Sequence, residues 1–296
     1  MIFGVIPVDK PAGFTSFDVI AKCRGILKER RLGHSGTLDP MATGVLPVFI
    51  GRATKAIDIL PDGEKRYSAE FELGRSTDTQ DRTGETLEIS DKKATEADIQ
   101  DALKGFIGKI SQLPPMYSAV KVGGKRLYDL ARAGIEVERK PREIEIFDLR
   151  LTGFNEEAQC GALEISCSKG TYIRTLINDL GERLETLGIM TELRRTYSQG
   201  FEISQCVTLD KLEEYAKAGR ANELMIPVER CFECFPRIEM SEKQERMYKN
   251  GVLLDSARVA GAGGDGLYRA YGSGFLGIAK ISGGEIRVCK NFWETV

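Results

Sequence analysis

Apolar positions along this chain switch between two spacings, and the switches outline its elements. Ile2 to Val8 is a short apolar run ahead of Pro11 and Gly13, which predicts a first strand. Ser16 reads as an N-cap, and Val19, Ile20, Cys23, Ile26 and Leu27 follow it at helical spacing. Gly44 to Ile50 is apolar and β-like, and Ala53 to Leu60 predicts a short helix. Lys65 to Leu73 alternates cleanly. Tyr67, Ala69, Phe71 and Leu73 share one face, and Ser68, Glu70 and Glu72 the other, as in a half-buried strand. Gly74 to Glu85 is polar and turn-like. Thr95 to Phe106 predicts a helix, with Thr95 and Asp98 in the pattern of a capping box and Ile99, Ala102, Leu103 and Phe106 on its apolar face.

Pro114 and Pro115 interrupt the pattern. The segment from there to Pro141 has a helical centre, Leu127 to Ala133, between Gly123-Gly124 and Gly134, and reads as an excursion from the core. Ile144 and Ile146 alternate with Glu143 and Glu145, so a strand returns, and Ala162 to Cys167 is another. Thr171 to Leu187 predicts a long helix with Ile173, Leu176, Ile177, Leu180, Leu184 and Leu187 on one side. A further segment runs through Leu193 to Ile203, and Leu209 to Ala218 is helical after Thr208. Strands and helices mix without a regular βαβ repeat. The fold class expected is therefore α+β, with a mixed, largely antiparallel sheet.

Near Pro227 to Pro236 the character changes. One helix, Ser241 to Asn250, is stopped by Gly251. Short β-like pieces separated by glycines follow, which suits a small β-barrel with tight turns. The chain thus divides into residues 1–232, with an insertion at about 115–141, and residues 233–296.

Composition narrows the class. Of 296 residues, 42% are hydrophobic and 29% charged, ordinary for a globular protein with a real core. No apolar run approaches the roughly 20 residues needed to span a bilayer, and Met1 to Lys10 lacks the pattern of a secretory signal. Seven cysteines without regular spacing predict reduced thiols and a cytoplasmic location. The net charge of −2 does not announce a nucleic-acid binder, but its distribution is uneven. Lys121 to Arg142 holds seven basic residues against three acidic, and Lys22 to Arg31 five against one. Either patch fits phosphate contacts, or an ordinary solvated helix face.

The candidate chemistry sits in Gly33-His34-Ser35-Gly36-Thr37-Leu38-Asp39-Pro40-Met41-Ala42-Thr43-Gly44-Val45-Leu46-Pro47. Three glycines and two prolines in these fifteen residues predict an ordered, tightly turned loop rather than a helix or strand. It contains the only histidine, His34, and a carboxylate, Asp39, which Pro40 pushes into extended backbone. Fixed loops often carry catalytic groups; an Asp-Pro turn initiator is the plainer alternative. Other motifs fail. The glycines of Gly261 to Gly266 and Gly272 to Gly277 match G-x-G-x-x-G but open no recognisable helix. Cys231 and Cys234 form a lone C-x-x-C without a second pair of ligands. His34 has no G-x-S-x-G to build a triad with.

Five segments in order carry a resemblance: the Gly33–Pro47 loop, Lys65-Arg66-Tyr67, Pro114 to Lys121, Cys167 to Thr175, and Leu193-Arg194-Arg195. Together they resemble the bacterial tRNA pseudouridine-55 synthases, the TruB family, over nearly the whole chain. The resemblance implies an isomerase, an intramolecular transferase, that converts uridine-55 of the tRNA T loop to pseudouridine. It implies no cofactor and no metal. Asp39 matches the catalytic nucleophile, Arg174 the arginine that pairs with it, and Tyr67 the active-site tyrosine. Tyr172 and Leu193 match substrate-contacting positions, His34 is placed to fill the space left by a flipped base, and Lys55 matches a basic residue close to the site. The 115–141 insertion resembles a thumb that closes over the T-stem loop, and residues 233–296 resemble an RNA-binding PUA domain. The partner implied is tRNA, with no membrane, no obligate protein partner and a monomeric enzyme. Two rival readings are a guide-RNA-dependent synthase and a tRNA-binding folding helper.

Overall fold

The computed structural model describes residues 3–118 and 120–293. Ile2 in the first strand, Ala119 in the Pro114–Lys121 segment, residues 294–296, and the side chains of Lys121 and Arg126 lie outside the described residues. Among the described residues a nine-stranded sheet forms the main body. Its strands run in the order Gly4–Lys10, Thr43–Ile50, Gly188–Ser198, Lys65–Leu73, Cys160–Cys167, Arg142–Asn155 and Gly108–Gln112. Leu32–His34 pairs with Thr43–Ile50, and Phe201–Glu202 with Gly188–Ser198. All pairs are antiparallel except one. Thr43 and Gly44 lie parallel to Arg194 and Arg195. The fold is α+β with a mixed, largely antiparallel sheet, as the sequence pattern predicts.

Three apolar clusters hold it. Phe71, Leu163 and Ile165 pack with Ile99 and Leu103 of helix Glu96–Lys104 and with Leu176 and Ile177 of helix Ile173–Arg183. Val19, Ile20 and Cys23 of helix Ser16–Leu27 join Leu212 of helix Leu209–Lys217 over Val8 and Val48. The third cluster crosses residue 233: Val45, Phe49 and Ala53 pack with Phe232, Ile278 and Phe292. Each such side chain fully buried contributes about 1.5–3 kcal/mol, so this apolar seam fixes the C-terminal part against the main sheet. That part is a curled five-stranded sheet in the order Arg237–Glu239, Gly266–Tyr271, Phe275–Ser282, Glu285–Asn291 and Leu254–Asp255. Register shifts between Ala270 and Tyr271 and between Ile278 and Ala279 bend it into a half-barrel. Cys231 sits in the seam, and burial pushes its thiol up to about 12, a core role rather than a ligand's.

The structure corrects several boundaries. Thr15, not Ser16, caps the first helix, in a capping box with Asp18. Ser16 is buried and spends its hydroxyl on Leu38 instead. The segment after Ile50 is a 3₁₀ helix, Gly51–Ile59. The long helix ends at Arg183, because Glu185 and Leu187 turn left-handed at φ 59° and 60°. The chain then folds back so tightly that a Cβ on Gly181 would fall 2.3 Å from the Gly188 nitrogen. The two ends of the Gly33–Pro47 stretch are strand, not loop. Only Ser35 to Ala42 is irregular.

Candidate active site

The Ser35–Ala42 loop is tied down from several directions. Gly13 N–H donates to the Pro40 carbonyl at 2.9 Å. The Ser16 hydroxyl accepts from Leu38 N–H at 2.9 Å and donates to its carbonyl at 3.2 Å. Lys10, fully buried, donates its ammonium to the carbonyls of Pro11, Pro40 and Ala42 at 3.0, 3.1 and 2.6 Å. Burial lowers Lys10 to about 8, partly offset by Asp39. The backbone on either side of Asp39 is therefore fixed, and the carboxylate's position with it.

Arg174 reaches Asp39 from the first turn of helix Ile173–Arg183, 135 residues away. Its Nε stands 2.9 Å from Asp39 Oδ2 and its Nη2 3.3 Å from Oδ1, a fork on both carboxylate oxygens. Nη1 donates to the Thr79 carbonyl and Nη2 to the Tyr117 carbonyl, each at 2.8 Å. Buried Asp81 lies 3.9 Å from Nη1 and is itself held by Thr79 and Thr83. The Arg174 side chain is 5% exposed and that of Asp39 36%. The arginine is thus sealed in while the acid keeps a face open to a reactant. Tyr117 belongs to the base of the 115–141 excursion, and its hydroxyl donates to Asp78 at 3.1 Å. The excursion is coupled to the ion pair through that one residue's carbonyl.

Tyr67 lies across the sheet from Arg195, its register partner. Arg195 is fully buried, and among the described residues no carboxylate pairs with it. Its Nε donates to the Val45 carbonyl at 2.7 Å and its Nη2 to the Gly36 carbonyl at 2.8 Å, so it pins the start of the loop to the strand after it. The parallel contact demands glycine: a Cβ on Gly44, at φ +102°, would meet the Arg195 carbonyl oxygen at 2.2 Å. Burial raises the Tyr67 hydroxyl above its ordinary value, and the neighbouring Arg195 opposes this. Burial also lowers Lys65 to about 8, with Arg195 adding repulsion. His34 ends the strand Leu32–His34, and burial followed by Arg195 lowers it toward the neutral imidazole. Its Nδ1 finds no hydrogen-bond partner among the described residues.

Of the other residues singled out in the sequence, Tyr172 directly precedes helix Ile173–Arg183. Its backbone is locked to the Gln112 amide at 2.8 and 3.0 Å. Leu193 is buried in one cluster with Leu38, Met41 and Tyr67. Lys55 is placed differently from expectation. Its ammonium donates to the Asn291 side chain at 2.6 Å, and the charges it feels are Arg31, Arg52 and Lys290. It belongs to the junction with the C-terminal sheet. Sequence reasoning gave no role to Lys10, Asp81 or Arg195. Lys10 looks like a solvated lysine at a strand end, and Asp81 sits in a polar turn. Arg195 stands in one of the five segments, at a position whose alternation with Leu193 marks the buried face.

Comparison with known proteins places the chain in a family. A model described as TruB family pseudouridylate synthase (N terminal domain) matches residues 24–173, and one described as tRNA pseudouridylate synthase B C-terminal domain matches residues 174–233. The protein named tRNA pseudouridine synthase B in Bacillus subtilis (strain 168) is 44% identical over 261 residues, covering 86% of this chain and 84% of its own. Its namesake in Clostridium kluyveri is 39% identical over 292 residues, covering 98% and 99%. The crystal structure of a Cbf5-Nop10-Gar1 complex aligns with a TM-score of 0.76 at 25% identity, over 98% of this chain and 85% of that one. This chain belongs to the TruB family of pseudouridylate synthases.

Proposed function

We propose that this chain isomerises uridine-55 in the T loop of tRNA to pseudouridine, and does so unaided. The observation that carries the reading is the Asp39–Arg174 pair: a half-open carboxylate on a fixed loop, gripped on both oxygens by a buried guanidinium. Relatives named tRNA pseudouridine synthase B support the choice of substrate. The reaction breaks the bond from ribose C1′ to uracil N1 and rejoins C1′ to C5, with no net redox change. Asp39 acts as nucleophile on the flipped uridine. Arg174 fixes its direction, as a planar fork can and an ammonium cannot. Tyr67 packs on the uracil and helps to move the C5 proton. Tyr172 and Leu193 wall the pocket.

Turning the base out of its stack costs a few kcal/mol, and His34 takes up the vacated space. A lone imidazole of lowered proton affinity, half-buried, suits that filling role. The 115–141 excursion closes over the T-stem loop, and residues 233–296 act as a PUA-like module gripping RNA farther along. The protein works as a cytoplasmic monomer. Chemical mapping of an unmodified tRNA transcript incubated with the purified chain alone tests the reading. Pseudouridine at position 55 is expected. Modification only after a guide RNA and partner proteins are added would give the guide-dependent rival instead.

A further inference from the structure

Helix Ser16–Leu27 presents a surface that neither the apolar core nor the ion pair accounts for. Phe17, in its first turn, is 63% exposed, and Phe14 just before it 36%. Helical periodicity lines Phe17 up with Ala21, Arg24, Gly25 and Lys28 on one outer face. Ala21 and Gly25 keep the middle of that face low. A Cβ on Gly25 would touch nothing within 4 Å, so packing does not require glycine there. An unforced glycine inside a helix costs about 1 kcal/mol relative to alanine. Beyond it opens a surface cavity of about 510 Å³ lined by Arg24, Gly25, Lys28, Glu29 and Arg30, three cations against one acid. Arg24 joins the two parts: its guanidinium lies 5.6 Å from the Phe17 ring centroid and donates to the Leu32 carbonyl at 3.4 Å.

We infer that this face is a track for the substrate RNA, with Phe17 stacking on an unpaired base beside the target uridine and Arg24, Lys28 and Arg30 taking the phosphates that follow. Two features choose RNA as the occupant. The first is continuity: Phe17 adjoins Ser16, whose hydroxyl makes both bonds to Leu38, the residue before Asp39. The second is the pairing of chemistry, an exposed aromatic ring and a cationic hollow on one helix face, which is how single-stranded nucleic acid is gripped. The track rests on the uridine-55 reading for its substrate, yet it is tested through binding as well as turnover.

Affinity for an unmodified tRNA transcript is measured for the wild type and for Phe17→Ala, Phe17→Trp and Phe147→Ala; Phe147, 48% exposed on the strand Arg142–Asn155, is the control. Phe17→Ala is expected to weaken binding by about tenfold, the loss of one base–aromatic stack. Phe17→Trp restores it, and Phe147→Ala matches the wild type. Turnover at sub-saturating transcript falls for Phe17→Ala in step with its loss of affinity, and Phe147→Ala keeps the wild-type rate. Lys28→Ala and Arg30→Ala each flatten the dependence of log Kd on log salt by about 1. Phe17→Ala binding like wild type, or losing no more than Phe147→Ala, overturns the track and leaves a protein partner or none for this face. Tight binding without any pseudouridine would instead sink the uridine-55 reading, with the Phe17 series still read out in Kd.

Discussion

The two sheets of this protein treat polar side chains in opposite ways. Before residue 233 the fold buries Lys10, Asp81, Arg174 and Arg195; beyond it, among the described residues, Glu245 alone is a buried charged side chain. Removing charge from water costs several kcal/mol per ion before pairing is counted. The C-terminal sheet avoids that cost and keeps an apolar core of the Ile238, Ala270, Ile281 and Ile286 kind. Glu245 is satisfied locally by the Ser273 N–H at 2.7 Å, the Ser273 hydroxyl at 2.9 Å and the Lys249 ammonium at 2.6 Å, and so ties its helix to a turn. The main sheet concentrates its buried charge around one loop. That contrast separates a part with charge buried around a loop from a part with an apolar core.

Removing Arg174 breaks the contrast most severely. Arg174→Ala leaves Asp39 and Asp81 without their shared cation, so stability falls by about 3–5 kcal/mol in urea denaturation and turnover by on the order of 10³-fold or more. Arg174→Lys keeps the charge and folds, but one ammonium cannot bind both oxygens, so single-turnover kinetics show a loss of about 10²-fold. Tyr67→Phe keeps the ring and removes the hydroxyl. It slows the rate by about 10²-fold while transcript affinity stays near wild type.

Lys65 has a smaller effect of opposite sign. Burial lowers its ammonium from an ordinary 10.5 to about 8. Below about 8 the folded chain bears the unfavourable charge in full. From about 8 to 10.5 the folded state sheds its proton while the unfolded chain keeps it, so stability rises with pH through that window. Lys65→Met is therefore more stable than wild type at pH 7, by about 1 kcal/mol after allowance for its residual contact with solvent, and the advantage fades as the pH nears 10.5. Denaturation at a series of pH values reads this directly. Glu245→Ala is the mildest change: about 1 kcal/mol of stability and no change in pseudouridine yield, since its partners Ser273 and Lys249 both lie in the C-terminal part.

How far each feature was legible in the sequence follows from the range of the interactions involved. Lys65–Leu73 and Glu96–Lys104 were plain because alternation and a capping box are local signals. The fourteen-residue strand Arg142–Asn155 was seen only at its start, because shifts near Ile146 and Leu151 break its alternation. Asp39 and Arg174 were identified through resemblance; spacing alone could not pair residues so far apart. Lys10 and Arg195 escaped because a buried cation held by backbone carbonyls leaves no opposite charge in the sequence to mark it. The partner of Lys55 is hidden in the sequence for a related reason: Asn291 comes 236 residues later.

The central claim is that chemistry passes through the Asp39 carboxylate. It is tested most directly by mapping pseudouridine at position 55 of an unmodified tRNA transcript after incubation with the wild type, Asp39→Ala or Asp39→Asn. The wild type is expected to convert uridine-55. Both variants should bind the transcript yet react on the order of 10⁴-fold more slowly or not at all. Conversion by either variant at the wild-type rate would contradict it.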